Sequence, residues 1–288
     1  RNTLESDFGG VMLYTGGPSF VWTGGTLESN VVEVEATTDV DVGLLWQTGA
    51  VQWSGLELTG NRMQLEQDGG IGDLALVKLV DTSGSVQDLA VTGSLVKSEG
   101  DLTGSPYAYV VLLDVETALA LDRVAITKNQ ISVEHEFAYF LLSTAMEAEV
   151  QATDVDIDDN TVLVAGYIAY PLALSYGEQK WVRTRIRNNK AGSVLVTSYK
   201  GDHSFENVIG AGNEQASNGG SVFRASGSES PLRLSQLTAY ANENDFWGHL
   251  CKGQDGSEVV LHNSTTFRGT MNAVEESCQS EHSATGDD

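Results

Sequence analysis

The sequence predicts an all-β protein built as two tandem β-sandwiches. Three observations carry that expectation. Glycine is abundant and proline scarce, apolar residues alternate with polar ones in short runs, and one unusual phrase is written twice. The chain has 288 residues, with 31 glycines against 4 prolines. Runs such as "DLALVKLVD", "YAYVVLLDV" and "SVLVTSYK" are rich in Val, Leu and Tyr, which suits strands. Turn signals punctuate them: "DGGIGD", "TSGS", "EGDLTGSP", "NNKAGS" and "SNGGS". In "VVEVEA", Val32, Val34 and Ala36 face one way while Glu33 and Glu35 face the other, the period-two pattern of a half-buried strand. The segment "SVEHEFAYFLLSTAMEAEVQA" fits two elements. Phe137, Phe140, Leu141 and Thr144 lie at helical spacing, and the same residues read equally as a strand leading into the second half.

The repeated phrase sets the domain organisation. "VEVEATTDVDV" runs over residues 32–42, and "EAEVQATDVDI" over residues 147–157. Glu33 aligns with Glu149 at an offset of 116 (149 − 33), and Asp39 with Asp154 at 115 (154 − 39). The match continues with Gly49 on Gly166, Trp53 on Tyr170, Leu56 and Leu58 on Leu172 and Leu174, and Gly60 on Gly177. Order and near-constant spacing over so long a period predict tandem domains. The first sandwich is expected over residues 1–129, and the second, with a C-terminal extension, over residues 130–288.

Forty acidic residues against 16 basic give a net charge of −24. Such a surface repels nucleic acid, so no direct nucleic-acid partner is expected. It also stays soluble where salt screens self-repulsion, which points to a saline environment. No apolar run reaches the ~20 residues of a membrane-spanning helix.

No residue pattern marks a reaction. The five histidines sit in no recognisable motif, and GxSxG, HExxH, P-loop and GxGxxG patterns are all absent. The chain therefore reads as a non-enzyme. Two stretches still stand out. "DVDIDDN" offers oxygen ligands at alternate positions, Asp154, Asp156, Asp158 and Asn160, as calcium prefers. It departs from the EF-hand, with Asp159 where a Gly and Ala165 where a Glu would stand, and an exposed acidic turn is the other reading. "KWVRTRIRNNK" is the one basic island. Arg183, Arg185 and Arg187 alternate with Val182, Thr184 and Ile186, so on a strand the three guanidinium groups share a face. An anion should lie over them: acids of adjacent strands, lipid phosphate or, as the favoured expectation, the acidic edge of another subunit. Cys251 and Cys278 permit a disulfide or two free thiols. "NST" from Asn263 is a glycosylation sequon that matters only in an exported chain.

The duplicated phrases and the paired "LELTG" and "LALSYG" give an organisation that resembles the double jelly-roll major capsid proteins of membrane-containing icosahedral viruses, of the tectivirus and corticovirus type. That resemblance implies two eight-stranded jelly rolls per chain, homotrimers, other capsid proteins as partners and a shell over a lipid membrane. The function it implies is structural, in the virion. A second reading is a secreted or virion-surface carbohydrate-binding β-sandwich, a lectin or spike, with Trp22, Trp46, Trp53, Trp181 and Trp247 available to stack on sugars, though core packing suits most of them. A jelly-roll glycoside hydrolase is a third.

Overall fold

The computed structural model describes the chain apart from residues 1, 7–9, 37–39, 68–72, 100–106, 134–136, 164–167, 192–193, 216–220, 228–230, 241, 245–248, 268–277, 282–283 and 287–288. Every regular element among the described residues is a β-strand. Every strand pairing among them is parallel. That fact overturns the two jelly-roll sandwiches, whose strands pair antiparallel. Two parallel neighbours need a long crossover between them. Here the crossover is the rest of one coil, and the chain winds as a parallel β-helix.

A nine-stranded sheet marks the successive coils. Its strands run from Thr3–Ser6 through Val31–Ala36, Arg62–Gln67, Leu95–Glu99 and Gln130–Val133 to Glu243–Asn244. One coil shows the plan. After Gln130–Val133 the chain crosses to Phe137–Thr144 on the second face, then runs as Glu149–Asp158. This last strand bends at Asp154, which has φ of 55°, and Asn160 opens the next coil. The segment that fitted either a helix or a strand is therefore two strands.

Inward-facing side chains stack in columns, one per coil. Leu58, Val91, Ile126, Ile157 and Ile186 follow one another in register and are all buried. Each such side chain contributes roughly 1.5–3 kcal/mol by leaving water. Volumes are matched between neighbours: Trp181, fully buried, sits in register with Ala152 on one side and Phe205 on the other.

A ladder of asparagines closes each coil onto the next. Asn2, Asn30, Asn61, Asn129, Asn160, Asn189, Asn213 and Asn242 occupy one position, with Ser94 between Asn61 and Asn129. The side-chain oxygen of each rung accepts from the backbone N–H of the rung before it. The amide nitrogen of Asn160 also donates to the carbonyl of Ile126 at 2.7 Å, and that of Asn189 to Ile157 at 2.8 Å. These bonds satisfy backbone groups at a turn where no strand neighbour is in line to do so. Consecutive rungs lie 24 to 35 residues apart.

The corners need left-handed backbone. One corner column reads Gly24, Gly55, Asp88, Arg123, Asp154, Arg183, Asn207, Gln236 and Asn263, all at positive φ. At another corner, Gly84 has φ of 109°, and a Cβ there would lie 2.1 Å from the Val51 carbonyl oxygen, so only glycine fits.

The repeated phrase does not mark a repeat. Val34 lies four residues past Asn30 (34 − 30) on the nine-stranded sheet, whereas Val150 lies 21 past Asn129 (150 − 129) on another face. Coils stack without interruption across residues 129 and 130, because Ser94, Asn129 and Asn160 are consecutive rungs. The resemblance to double jelly-roll capsid proteins falls with the phrase that carried it, and the capsid, virion and jelly-roll expectations fall with it.

Candidate functional site: a groove along one corner

The two stretches singled out by composition lie against each other. Asp156 is in register with Arg185, Ile157 with Ile186 and Asp158 with Arg187. The three arginines do not share one strand. Arg183 sits at the left-handed corner after Glu178–Val182, and only Arg185 and Arg187 point outward from Arg185–Arg187, with Ile186 between them buried.

Each arginine meets an aspartate of the preceding coil of the same chain. Arg183 grips Asp154 as a fork, Nε to Oδ1 at 2.7 Å and Nη2 to Oδ2 at 2.8 Å. Arg185 reaches Asp156 through Nη2 at 3.0 Å. Arg187 reaches Asp158 at 2.7 Å and Asp156 at 3.5 Å. The hydrogen bond from Arg183 holds the Asp154 carboxyl below the usual carboxylate range, with the nearby positive charges of Arg183, Arg185 and Arg123 adding to it. The same pairing occurs two coils earlier, where Arg123 forks onto Asp88.

The four calcium candidates do not converge. Asp154 stands at the corner, Asp156 and Asp158 face outward toward arginines, and Asn160 turns inward as a ladder rung. Among the described residues no group of three or more His, Cys, Asp or Glu is placed to hold a metal ion.

Beside this ion-pair ladder runs a groove of about 360 Å³, lined by Asp154, Arg183, Arg185, Asn207, Val208, Ile209, Gln236 and Thr238. Its construction follows from the coil. Corner residues Arg183, Asn207 and Gln236 stack on successive coils and project outward. The outward residues that follow, Arg185, Ile209 and Thr238, are in register with one another. Half-buried Ile209 supplies the apolar floor, while Val208 turns its side chain into the core, and planar amides and the two guanidinium groups form the walls. Tyr240 is exposed just beyond Thr238, and its neighbour in the preceding coil is Ala211, whose methyl group covers little of a ring. Asn207, Gln236, Thr238 and Tyr240 were missed in the sequence. Their signal is their place one, three and five residues beyond the strands Asp202–Glu206 and Leu232–Ser235, visible only once the coil is known.

The aromatic residues elsewhere are less suited to a ligand. Tyr109, Tyr139 and Tyr170 stack along the second face with centroids 5.3 and 5.4 Å apart and nearly parallel rings. Their faces cover one another, so the column presents ring edges. Burial pushes the hydroxyls of Tyr109, Tyr139 and Tyr170 above the usual tyrosine range. Trp53 and Trp181 are core residues, Lys78 lies 4.5 Å over the Trp46 ring, Trp22 packs against the core, and Trp247 is outside the described residues.

Cys251 and Cys278 are joined by a disulfide near the C-terminal end of the stack, with Cα atoms 6.1 Å apart.

No protein-family model matches the chain, and no curated protein matches it. Among solved structures, a mutant of the periplasmic alginate epimerase AlgG is similar over 89% of this chain and 77% of its own, at 10% identity and a TM-score of 0.31. The A-module of the Azotobacter vinelandii mannuronan C-5 epimerase AlgE6 is similar over 96% and 91%, at 10% identity and a TM-score of 0.18. Both are enzymes, and the expectation of a non-enzyme, which rested on missing sequence motifs, does not stand beside them. Similarity at this level carries no argument about the reaction or substrate of this chain.

Proposed function

We propose that this β-helix binds an extended saccharide outside the cytoplasm, in the corner groove. The observation that carries the reading is the stack of exposed Arg183, Asn207 and Gln236 beside the half-buried apolar floor of Ile209. Planar amides offer both donors and acceptors, which suits sugar hydroxyls, and an apolar floor suits the C–H face of a pyranose. Coils repeat about every 4.8 Å along the axis. A sugar chain lying parallel to the axis therefore meets a similar polar group at each step. The disulfide supports an oxidising compartment, where such bonds persist.

Titration of the ¹⁵N-labelled chain with soluble oligosaccharides tests this. Amide shifts should cluster at residues 183–185, 207–209 and 236–240. The double variant Asn207→Gly/Gln236→Gly should abolish them while melting close to the parent, because both side chains are exposed and glycine keeps the left-handed backbone of the corner. Binding that survives the double variant unchanged would place the saccharide elsewhere or nowhere.

A further inference from the structure

We infer that the sugar this groove accepts carries a carboxylate, and that Arg185 holds it. The inference rests on the saccharide reading above and narrows it to a substrate class. The three arginines of the island differ in how much of their hydrogen-bonding capacity is already used. Arg183 has both nitrogens of its fork committed to Asp154. The Arg187 side chain is only 34% exposed and is shared between Asp156 and Asp158. Arg185 is 48% exposed and meets Asp156 through one nitrogen. Asp156 keeps a second cation in Arg187 if Arg185 turns away. A guanidinium has five donors in a planar fork that matches a carboxylate edge to edge. Arg185 can therefore engage an incoming carboxylate without leaving an aspartate unpaired.

Its position gives that capacity a use. Arg185 is in register with Ile209, and Ile209 with Thr238. A sugar ring resting on Ile209 places one edge at the guanidinium and the other at the Thr238 hydroxyl and the Gln236 amide. A substituent on the first edge meets a charge-assisted fork, and hydroxyls on the second meet neutral hydrogen-bonding groups. The local charge allows it too. Arg183, Arg185 and Arg187 balance Asp154, Asp156 and Asp158, so within a chain of net charge −24 this corner is close to neutral. The long-range repulsion of an anionic sugar decays over about 10 Å in ~0.1 M salt.

The experiment compares one uronate oligosaccharide with its carboxyl-reduced form and with a carboxylate-free oligosaccharide carrying a sulfate ester, by calorimetry in ~0.2 M salt. The parent should bind the uronate at least tenfold more tightly than the reduced sugar. Arg185→Gln should bring the two to equal affinity. Arg185→Lys should recover only part of the difference, since it restores charge but not the fork. Equal affinity of the parent for uronate and reduced sugar overturns the inference and leaves saccharide binding standing. Preference for the sulfated sugar overturns it as well, because the anion is then not a carboxylate. Binding of none of the three overturns the saccharide reading along with it.

Discussion

The Oδ1 atom of Asn160 accepts two hydrogen bonds from Asn129, one from its backbone nitrogen at 2.9 Å and one from its Nδ2 at 3.1 Å. The Nδ2 of Asn160 donates in turn to Asn189 Oδ1 at 2.9 Å and to the Ile126 carbonyl at 2.7 Å. One side chain thus joins three coils, and it is fully buried. Its removal leaves buried donors and an acceptor without partners. Asn160→Ala should destabilise by about 3 kcal/mol or more, since each stranded buried group costs roughly 1–3 kcal/mol. Asn160→Ser should lose less, because Ser94 already serves as a rung by accepting from the Asn61 backbone at 3.1 Å. Urea denaturation of the two variants checks both. An alanine variant within about 0.5 kcal/mol of the parent would mean the ladder adds nothing to stability.

Trp181 and Ala152 are neighbours in register inside the coil, and their volumes complement each other. Ala152→Leu should overpack the column and cost about 1–3 kcal/mol. Trp181→Leu should open a cavity and cost about 3 kcal/mol. The double variant should cost clearly less than the sum, because the new leucine fills the space the indole leaves. Strict additivity in thermal melts would show that the two positions do not share that space.

His203 is buried inside the coil, with Nδ1 2.7 Å from Ser198 Oγ and Nε2 2.9 Å from the Tyr176 carbonyl oxygen. Nε2 therefore donates and Nδ1 accepts. Burial pushes its pKa down, opposed by the Tyr176 carbonyl and the charge of Asp202. The unfolded chain then binds more protons than the folded one once the pH drops below about 6.5. Stability from this group is complete above that value and is lost as pH falls toward the folded pKa. The melting temperature should decline between about pH 7 and pH 5, and His203→Gln should flatten that part of the profile. An unchanged slope in the variant would assign the decline to other groups.

The Cys251–Cys278 bridge spans 27 residues. Loop closure of that length restricts the unfolded chain by about 3.5 kcal/mol in the entropy model. Reduction should lower the melting temperature, and the Cys251→Ser/Cys278→Ser pair should match the reduced parent. Two reactive thiols per denatured chain, without added reductant, would show that no bridge forms.

By itself the sequence determined that the chain is all-β. Alternation in "VVEVEA" and the Gly, Asn and Asp turn signals are local properties, set by the two faces of a strand and by which residues tolerate left-handed backbone. It also marked the residues of one corner, because "DVDIDDN" and "KWVRTRIRNNK" stand out in charge alone. What it could not determine was that these two stretches touch. Parallel pairing joins residues about 30 apart through backbone hydrogen bonds, which carry no side-chain code, and the interval varies from 24 to 35 residues. A search at one fixed period therefore finds chance likeness, as between Val34 and Val150, before it finds the coil. The asparagines at 30, 61, 129, 160, 189, 213 and 242 were the legible trace of the true repeat, the first six each one residue after a left-handed turn position. Only the tertiary structure decided that Asp156 meets Arg185, because stacking brought the two into register about 4.8 Å apart. It also built the groove, since Arg183, Asn207 and Gln236 become one wall only when three coils lie one upon another.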